Sequence, residues 1–247
     1  MTTHGLTRPP RMRLADAAHQ SLRLAIIEGK LGLGERLTEA HIAEELGMSR
    51  APVREAIQRL AAEGLVLVEP HLGAQVLDLS LEDIVDLHNL RLGLETTALR
   101  LFLARGSSTK PLRTHLNEMK AAATKKDASR LINAELDWHR SINVGSGNHL
   151  IGRMFGELEG RILLATSLED RVLRVMSSAG SGHSHLNYVV EEHEQIIAAI
   201  EEGRKAEALR LFEKHFLSTV ALLLQRLGGD SSLLLEPLSE TAPAPTN

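Results

Sequence analysis

The chain has 247 residues, which is enough for one large or two ordinary domains. Apolar residues make up 43% and charged residues 24%, as in a globular protein, and the absence of cysteine excludes disulfides, a thiol nucleophile and a cysteine-ligated metal. No apolar run is long enough for a membrane helix and the N-terminus has no signal core, so we expect a cytoplasmic protein with no membrane partner. The net charge of −4 can hide a local basic patch, and the 12 histidines require an explanation.

Composition divides the chain into four segments. Residues 1–13 contain two prolines and three arginines and predict a flexible arm, while residues 229–247 are rich in Pro, Ser and Thr and predict a disordered tail. Residues 14–78 combine short helical patterns with two strand-like runs, and residues 80–228 have helical periodicity almost throughout. We therefore expect a small mixed domain followed by an all-helical one.

The segment 14–78 has the pattern of three helices followed by a hairpin. The first helix is predicted from apolar residues at every fourth position: Leu14, Ala18, Leu22 and Ile26. Thr38 and Ser49 are in position to cap the second and third helices, which a glycine-containing turn separates. The runs Leu65–Glu69 and Ala74–Leu77 predict the two strands. This order of elements is that of a winged helix-turn-helix.

The third helix carries basic residues where a DNA-recognition helix needs them. Arg50 and Arg54 lie one turn apart, at the end from which guanidinium groups can reach phosphates and guanine edges. The alternative is a solvated face on which these arginines pair with Glu55 or Glu63, since residues 1–78 hold nine basic and ten acidic residues. The spacing alone leaves both interpretations open.

The first domain contains the run GERLTEAHIAEELGMSRAPVREAIQRLAAEGLVLVEPHLGAQV. This run, with its SR-x-PVREA core, resembles the signature of the GntR superfamily of bacterial transcription regulators, which implies binding to double-stranded operator DNA. The resemblance also implies the DNA-contacting residues: Arg36 near the DNA backbone, Ser49, Arg50 and Arg54 on the recognition helix, and His71 and Gly73 at the tip of the wing. The wing lacks the arginines that are frequent in the family, and Ala40 stands where some members have a DNA-contacting arginine. We therefore expect a weaker electrostatic contribution per subunit and a dependence on dimerisation.

Eight of the 12 histidines follow residue 78, and three of these lie on largely apolar helical stripes. Glu135 and His139 are four residues apart and face the same way, whereas Asp137 faces the opposite side. His193 and His215 lie on two further predicted helices. Imidazole nitrogen and carboxylate oxygen together suit Zn, Ni, Mn or Fe, and a helical bundle can bring such residues together. The alternative is that each is a core histidine bonded to a backbone carbonyl.

The helical segment contains a second set of motifs. They are R-x3-E at Arg91 and Glu95, Glu135 and His139 followed by a Gly-Asn pair, HEQIIAAI from His193, and His215 22 residues later. This set resembles the FCD effector domain of the FadR-type branch of the GntR superfamily. The resemblance implies a divalent metal, Zn or otherwise Ni, Mn or Fe, with these ligands: Glu135, His139, His193 and His215. It also implies that Arg91 binds a small carboxylate effector, for which the alternative is a surface ion pair with Glu95. Glu135 replaces the usual Asp, which leaves the preferred metal open.

These patterns predict a mainly α fold, with an N-terminal winged helix-turn-helix and a C-terminal all-helical, FCD-like bundle. The resemblance implies a homodimeric transcription regulator, most simply a repressor, whose operator affinity is controlled by a small organic or sugar acid at the metal site. We expect no enzymatic activity. The alternatives are a metal-dependent hydrolase, although HExxH is absent, and a regulator whose metal is purely structural. We expect His88, His115 and His149 at the surface and Trp138 in the core.

Overall fold

The computed structural model of the protein describes residues 14–69, 71, 73–177, 185–227, 229 and 234. Contacts divide the chain into two compact units that part after Leu77. The predicted arm lies outside the described residues, as does the predicted tail apart from residues 229 and 234. No helix within the described ranges is long and apolar enough to cross a membrane.

The N-terminal unit consists of three helices and a small sheet. Its elements are α1 (Leu14–Ile27), β1 (Arg36–Leu37), α2 (Glu39–Glu45), α3 (Arg50–Ala62), β2 (Val66–Glu69) and β3 (Gly73–Val76). The strand order is β1-β3-β2, with antiparallel pairing on both sides of β3. The two predicted strands are thus present with ends shifted by one residue, whereas β1 was not predicted. A strand of two residues has too short a pattern to be recognised without its partner.

Helix α1 packs against α3 and forms the core of this unit. Ala18, Val53 and Ala56 are fully buried, and an ion pair of 2.7 Å between Arg59 and Asp16 also joins the two helices. Leu14 begins α1 as predicted, but it is 58% exposed and so does not lie on the buried face. Four residues turn a helix by more than a full circle, so a stripe read at i+4 spacing drifts away from the buried face.

Helices α2 and α3 begin where the sequence predicts. Thr38 and Ser49 occupy the two N-cap positions with extended backbone, but neither side chain forms a capping hydrogen bond. Gly47, in the turn between the helices, has a φ of 62°, a left-handed conformation that glycine adopts at no steric cost. The turn thus sets the direction of α3, and with it the positions of the arginines on that helix.

The C-terminal unit is helical throughout its described part. Its elements are α4 (Leu81–Arg105), α5 (Lys110–Thr124), α6 (Ala128–Gly145), α7 (His149–Ser177), α8 (His185–Glu201) and α9 (Lys205–Leu227). The Ser80 side chain caps α4 and forms a capping box with Asp83, and Asp127 caps α6. The helical periodicity predicted over 80–228 does not indicate the connections at 125–127 and 202–204.

One apolar core joins these helices. Trp138, Leu99 and Phe212 are fully buried in it, so the prediction for Trp138 is confirmed. Helix α6 packs against α4, α5 and α7, while α9 packs against α4 and α8. Because α4 contacts both α6 and α9, the buried faces of these two helices meet beside it. Of the predicted site residues, Glu135 and His139 lie on α6 and His215 lies on α9.

Candidate metal centre and DNA-binding surface

The four predicted metal ligands come together in the C-terminal unit, although they belong to three helices. Glu135 and His139 are one turn apart on α6, His193 lies on α8 and His215 on α9. One possible ligand atom from each residue lies within 4.8 Å of those from the others. The imidazoles are almost completely buried, and the ring centroids of His193 and His215 are 4.5 Å apart. This spacing can accommodate one metal ion.

Each imidazole is oriented by a hydrogen bond at its Nδ1 atom. The acceptors are Glu95 Oε2 at 2.8 Å from His139, the Val189 carbonyl oxygen at 2.8 Å from His193, and Glu192 Oε2 at 3.0 Å from His215. Carboxylate and carbonyl oxygens only accept hydrogen bonds, so each Nδ1 carries the proton and donates it. The Nε2 atom of each neutral imidazole is then left with its lone pair.

The free imidazole nitrogens test whether the site fits a metal. Within the described residues, Nε2 of His139 and of His193 is buried without a hydrogen-bond partner. A buried polar atom without a partner costs free energy, so such atoms are uncommon. A histidine that binds metal through one ring nitrogen usually donates the other N–H to a carboxylate or a backbone carbonyl, as all three do here. The arrangement therefore fits a divalent metal with three nitrogen ligands and one carboxylate oxygen.

The electrostatics of the cluster agree with this fit. Burial raises the pKa of Glu135 to about 7, although the charges of His215 and Arg91 act in the opposite direction. Burial lowers the pKa of His139 to about 4 and lowers that of His193. Burial acts in the same direction on His215, but its hydrogen bond to Glu192 and the charge of that residue raise its pKa. A divalent cation beside Glu135 would supply the positive charge that its carboxylate lacks.

Arg91 lies beside the cluster rather than at the surface. It is 5% exposed, its Nε donates to Glu95 Oε1 at 2.8 Å, and its guanidinium lies 4.8 Å from the centroid of the Phe216 ring. The ion pair with Glu95 is therefore present, but its predicted location at the surface is wrong. Burial alone would raise the pKa of Glu95, whereas the charges of Arg91 and His139 and their hydrogen bonds lower it to about 2. Glu95 is thus a carboxylate that contacts both groups.

The cavities beside the cluster are small. One, of about 10 Å³, is lined in part by Arg91, Glu135 and His139. Another, of about 20 Å³, is lined in part by Glu135, Glu169 and Asp170. Each has room for about one water molecule, so an organic acid would need the surrounding side chains to move. A groove of about 510 Å³ borders α5 and the opposite face of α6, and none of the four ligands lines it.

For several polar residues of this unit, the exposure or the hydrogen-bond partner in the structure differs from what the sequence predicts. His88 is 5% exposed, and its Nε2 lies 2.5 Å from Glu169 Oε1, so its predicted surface position is wrong. His149 is exposed as predicted, and His115 is only partly exposed. Glu192 was not recognised as the partner of His215, because contacts between α8 and α9 leave no periodic signal in the sequence.

All six predicted DNA-contacting residues are exposed on the N-terminal unit. They are Arg36 in β1, Ser49 at the N-cap of α3, Arg50 and Arg54 in its first turns, His71 between β2 and β3, and Gly73 at the start of β3. His71 has a φ of 69° and Gly73 a φ of 87°, so the tip of the wing is a tight turn. Their exposure leaves these side chains accessible to a macromolecule.

Arg54 has an acidic partner that the sequence did not indicate. Its Nε and Nη2 atoms donate to the two carboxylate oxygens of Glu39 at 2.8 and 2.7 Å. These hydrogen bonds lower the pKa of Glu39, and the charges of Arg54 and Arg50 add to the effect. The predicted alternative partners were Glu55 and Glu63, but Glu39 lies on α2, 15 residues before Arg54. The guanidinium group is therefore engaged in the protein without DNA.

The chain is similar to known bacterial regulators over both units. Residues 14–76 match the family described as "Bacterial regulatory proteins, gntR family", and residues 86–218 match the FCD domain. A relative from Paenarthrobacter nicotinovorans, named "Probable D-xylose utilization operon transcriptional repressor", is 28% identical over 90% of this chain and 94% of its own length. The gluconate operon transcriptional repressor of Bacillus subtilis is 27% identical over 79% of each chain.

The fold has the same kind of relatives among solved structures. A GntR structure from Rhodococcus sp. RHA1 superposes with a TM-score of 0.66 at 24% identity, over 85% of this chain and 97% of that one. The FCD match alone spans more than half of the chain. The names of the relatives are those of transcription regulators and not of enzymes. This chain belongs to the gntR family of DNA-binding transcription regulators, in the FadR-type branch that carries an FCD domain.

Proposed function

We propose that this protein is a metal-containing, ligand-controlled repressor that binds its operator as a homodimer. The observation that carries the proposal is the convergence of three histidines, each held through Nδ1, around the Glu135 carboxylate. Its membership of a family of DNA-binding regulators supplies the activity that such a site would control.

The DNA-binding surface is proposed to consist of the exposed residues of α3, β1 and the wing: Arg36, Ser49, Arg50, Arg54, His71 and Gly73. Arg54 would exchange its Glu39 partner for a guanine edge or a phosphate, since both offer acceptors to the guanidinium group. In a symmetric dimer, two such helices would read two half-sites of one operator.

The metal ligands are proposed to be Glu135 and the Nε2 atoms of the three histidines, His139, His193 and His215. Zn²⁺ is the first candidate, and Ni²⁺, Mn²⁺ and Fe²⁺ accept the same donor set. When bound, the metal would offer positive charge and open coordination positions to an anionic ligand. The protein residues would hold the ion, exclude bulk water and orient the imidazoles.

The effector is proposed to be a small organic or sugar acid whose carboxylate reaches Arg91. In the described part of the chain, only the Nε atom of Arg91 forms a hydrogen bond, so its terminal nitrogens stay available for a carboxylate. Relatives named for the use of D-xylose and of gluconate support a ligand derived from a sugar. Because the adjoining cavity holds about one water, binding must displace parts of α4, α6 or α7. A ligand that requires such a movement has different affinities for the two conformations, as a switch requires.

The same small cavity favours a second candidate, a regulator whose metal is purely structural. The two proposals differ in whether an organic acid stabilises the metal-loaded protein against unfolding. A screen of organic and sugar acids by thermal unfolding, with and without Zn²⁺, should reveal metal-dependent stabilisation by one of the acids. At 100 times its dissociation constant, such an acid raises the free energy of unfolding by about 2.7 kcal/mol. Stabilisation by Zn²⁺ alone, with no acid adding to it, would favour the structural metal.

The ligand set is tested by His193→Ala, with His115→Ala as the matched control on the same unit. Loss of one ligand should lower Zn²⁺ affinity about tenfold or more, as measured by competition with a chromophoric chelator. His115, which pairs with Glu118 outside the cluster, should be replaceable without a change in affinity. Equal Zn²⁺ affinity of the two variants would remove His193 from the ligand set. A gel shift on DNA upstream of the protein's own gene, beside an assay for hydrolysis, tests the regulatory activity itself.

A further inference from the structure

The Glu95 carboxylate is surrounded by hydrogen-bond donors. Arg91 Nε donates to Oε1 at 2.8 Å, while His139 Nδ1 at 2.8 Å and Asn143 Nδ2 at 3.3 Å share Oε2. Asn143 Nδ2 also donates to the His139 carbonyl oxygen at 2.9 Å, which fixes the orientation of that amide. Glu95 and Asn143 are both 0% exposed, so bulk water does not reach this carboxylate.

A carboxylate is the side chain that satisfies such a site. It has two acceptor oxygens and no proton, whereas an amide of the same shape has one acceptor and one donor. With Gln at this position, the NH₂ group must face either the Arg91 N–H or the ring of His139. Since an acceptor facing the charged guanidinium is the more stable arrangement, the NH₂ would face His139. The Nδ1 atom of His139 would then have to accept, and the ring proton would move to Nε2.

The position of that proton decides whether His139 can bind a metal. Only an unprotonated ring nitrogen has a lone pair for a metal, and Nε2 is the atom that faces the cluster without a partner among the described residues. We propose that Glu95 is a positioning residue, which uses one oxygen to hold Arg91 and the other to fix His139 in the tautomer whose Nε2 can bind a metal. This role rests on the proposed metal site and extends it to a residue outside the ligand set.

The chain offers a matched control in the second carboxylate that holds a ligand. Glu192 Oε2 accepts from His215 Nδ1 at 3.0 Å, and its other oxygen faces the Ser218 hydroxyl at 3.4 Å. Tyr188 also hydrogen-bonds to this carboxylate through its hydroxyl. A hydroxyl can accept as well as donate, so Gln at this position can turn its oxygen to His215 and its NH₂ to a hydroxyl. The two Glu→Gln substitutions should therefore differ in effect, although each changes the same functional group.

The experiment compares Glu95→Gln, Glu192→Gln and the double variant Arg91→Gln/Glu95→Gln. The tautomer of His139 is read from long-range ¹H–¹⁵N correlation spectra of the metal-free full-length protein, and Zn²⁺ affinity from competition with a chelator. We expect Glu95→Gln to move the His139 proton to Nε2 and to weaken Zn²⁺ binding about tenfold or more. Glu192→Gln should leave the tautomer of His215 unchanged and weaken Zn²⁺ binding by less than about threefold.

The double variant separates positioning from a general loss of structure. The amide introduced at position 91 would offer its oxygen to the NH₂ group of the amide at position 95. The oxygen of the amide at position 95 is then free to accept from His139 Nδ1. Recovery of the Nδ1-protonated tautomer and of most of the Zn²⁺ affinity would support the proposal, and this variant decides alone if Glu95→Gln does not fold.

Two results would overturn the proposal. One is an unchanged His139 tautomer in Glu95→Gln, and the other is a folded double variant in which His139 carries its proton on Nε2. Because the tautomer is measured without metal, a wild-type protein that fails to bind Zn²⁺ would refute the metal site separately.

Discussion

Two arginine–glutamate pairs that share an Nε–carboxylate hydrogen bond occupy opposite environments in this protein. Arg54 and Glu39 on the N-terminal unit, and Arg91 and Glu95 on the C-terminal unit, each have an Nε–carboxylate distance of 2.8 Å. The side chains of the first pair are 64% and 32% exposed, and those of the second are 6% and 0% exposed. The same chemical contact therefore has different consequences in the two units.

The difference lies in what replaces the contact when it breaks. Water and salt can solvate Arg54 and Glu39 separately, so this pair is easily exchanged for another partner such as DNA. Arg91 and Glu95 have no such substitute, and separating them would leave a charge in the core. An exposed pair is thus suited to a surface that binds and releases DNA, and a buried pair to a framework that holds a metal ligand in place.

The largest effect is expected from removing one partner of the buried pair. Arg91→Met should lower the free energy of unfolding by about 3–5 kcal/mol, because Glu95 would keep its charge without its main counter-ion. Arg54→Met removes the corresponding residue of the exposed pair and should leave stability nearly unchanged. Chemical denaturation monitored by the fluorescence of the sole tryptophan, Trp138, measures the stability of Arg91→Met, and circular dichroism measures the stability of both variants. Equal losses of unfolding free energy in the two variants would contradict the proposed difference between the two pairs.

The next effect concerns DNA and involves only the exposed pair. Arg54→Ala should weaken operator binding about 30-fold or more, because a base or phosphate contact is lost in each half-site. Arg59→Ala is the matched control, since Arg59 lies at the other end of α3 and pairs with Asp16 of α1. Its operator affinity in a gel shift at fixed salt should stay within about twofold of wild type. If Arg54→Ala bound its operator as well as Arg59→Ala does, the assignment of α3 would be wrong.

The smallest effect is expected from the acidic member of the exposed pair. Glu39→Gln removes a negative charge beside Arg50 and Arg54 and leaves the guanidinium with one acceptor in place of two. Binding to random-sequence DNA at low salt should become about two- to fivefold tighter, and the gain should disappear as salt is raised. Glu45→Gln, on the same helix but next to His41, serves as the control. Weaker binding by Glu39→Gln would mean that Glu39 orients Arg54 rather than competing for it.

Much of the fold is predictable because its elements are local. The three helices of the N-terminal unit and the hairpin follow from periodicity and from residues within one or two turns. The exceptions are features whose partners are distant in the chain. Strand β1 exists through its pairing with β3, and the burial of His88 depends on Glu169, 81 residues later.

The candidate site divides in the same way. The ligand set could be proposed because Glu135 and His139 are one turn apart, and because the spacing between His193 and His215 resembles that of the FCD domain. The partners that orient the imidazoles could not be proposed, since Glu95 is 44 residues from His139 and Glu192 is 23 from His215. The size of the cavity beside Arg91 depends on how three helices pack, for which the sequence contains no measure.

The sequence by itself determined which faces of the helices are apolar, which residue types lie one turn apart, and to which family the pattern is similar. These properties depend on neighbours along the chain, where the geometry of the helix sets every distance. Only the tertiary structure decided which partner each charged or polar side chain acquires: Glu39 for Arg54, and Glu95 for both Arg91 and His139. It also decided which pairs are buried, and burial determines whether a contact can be exchanged with solvent or must be kept.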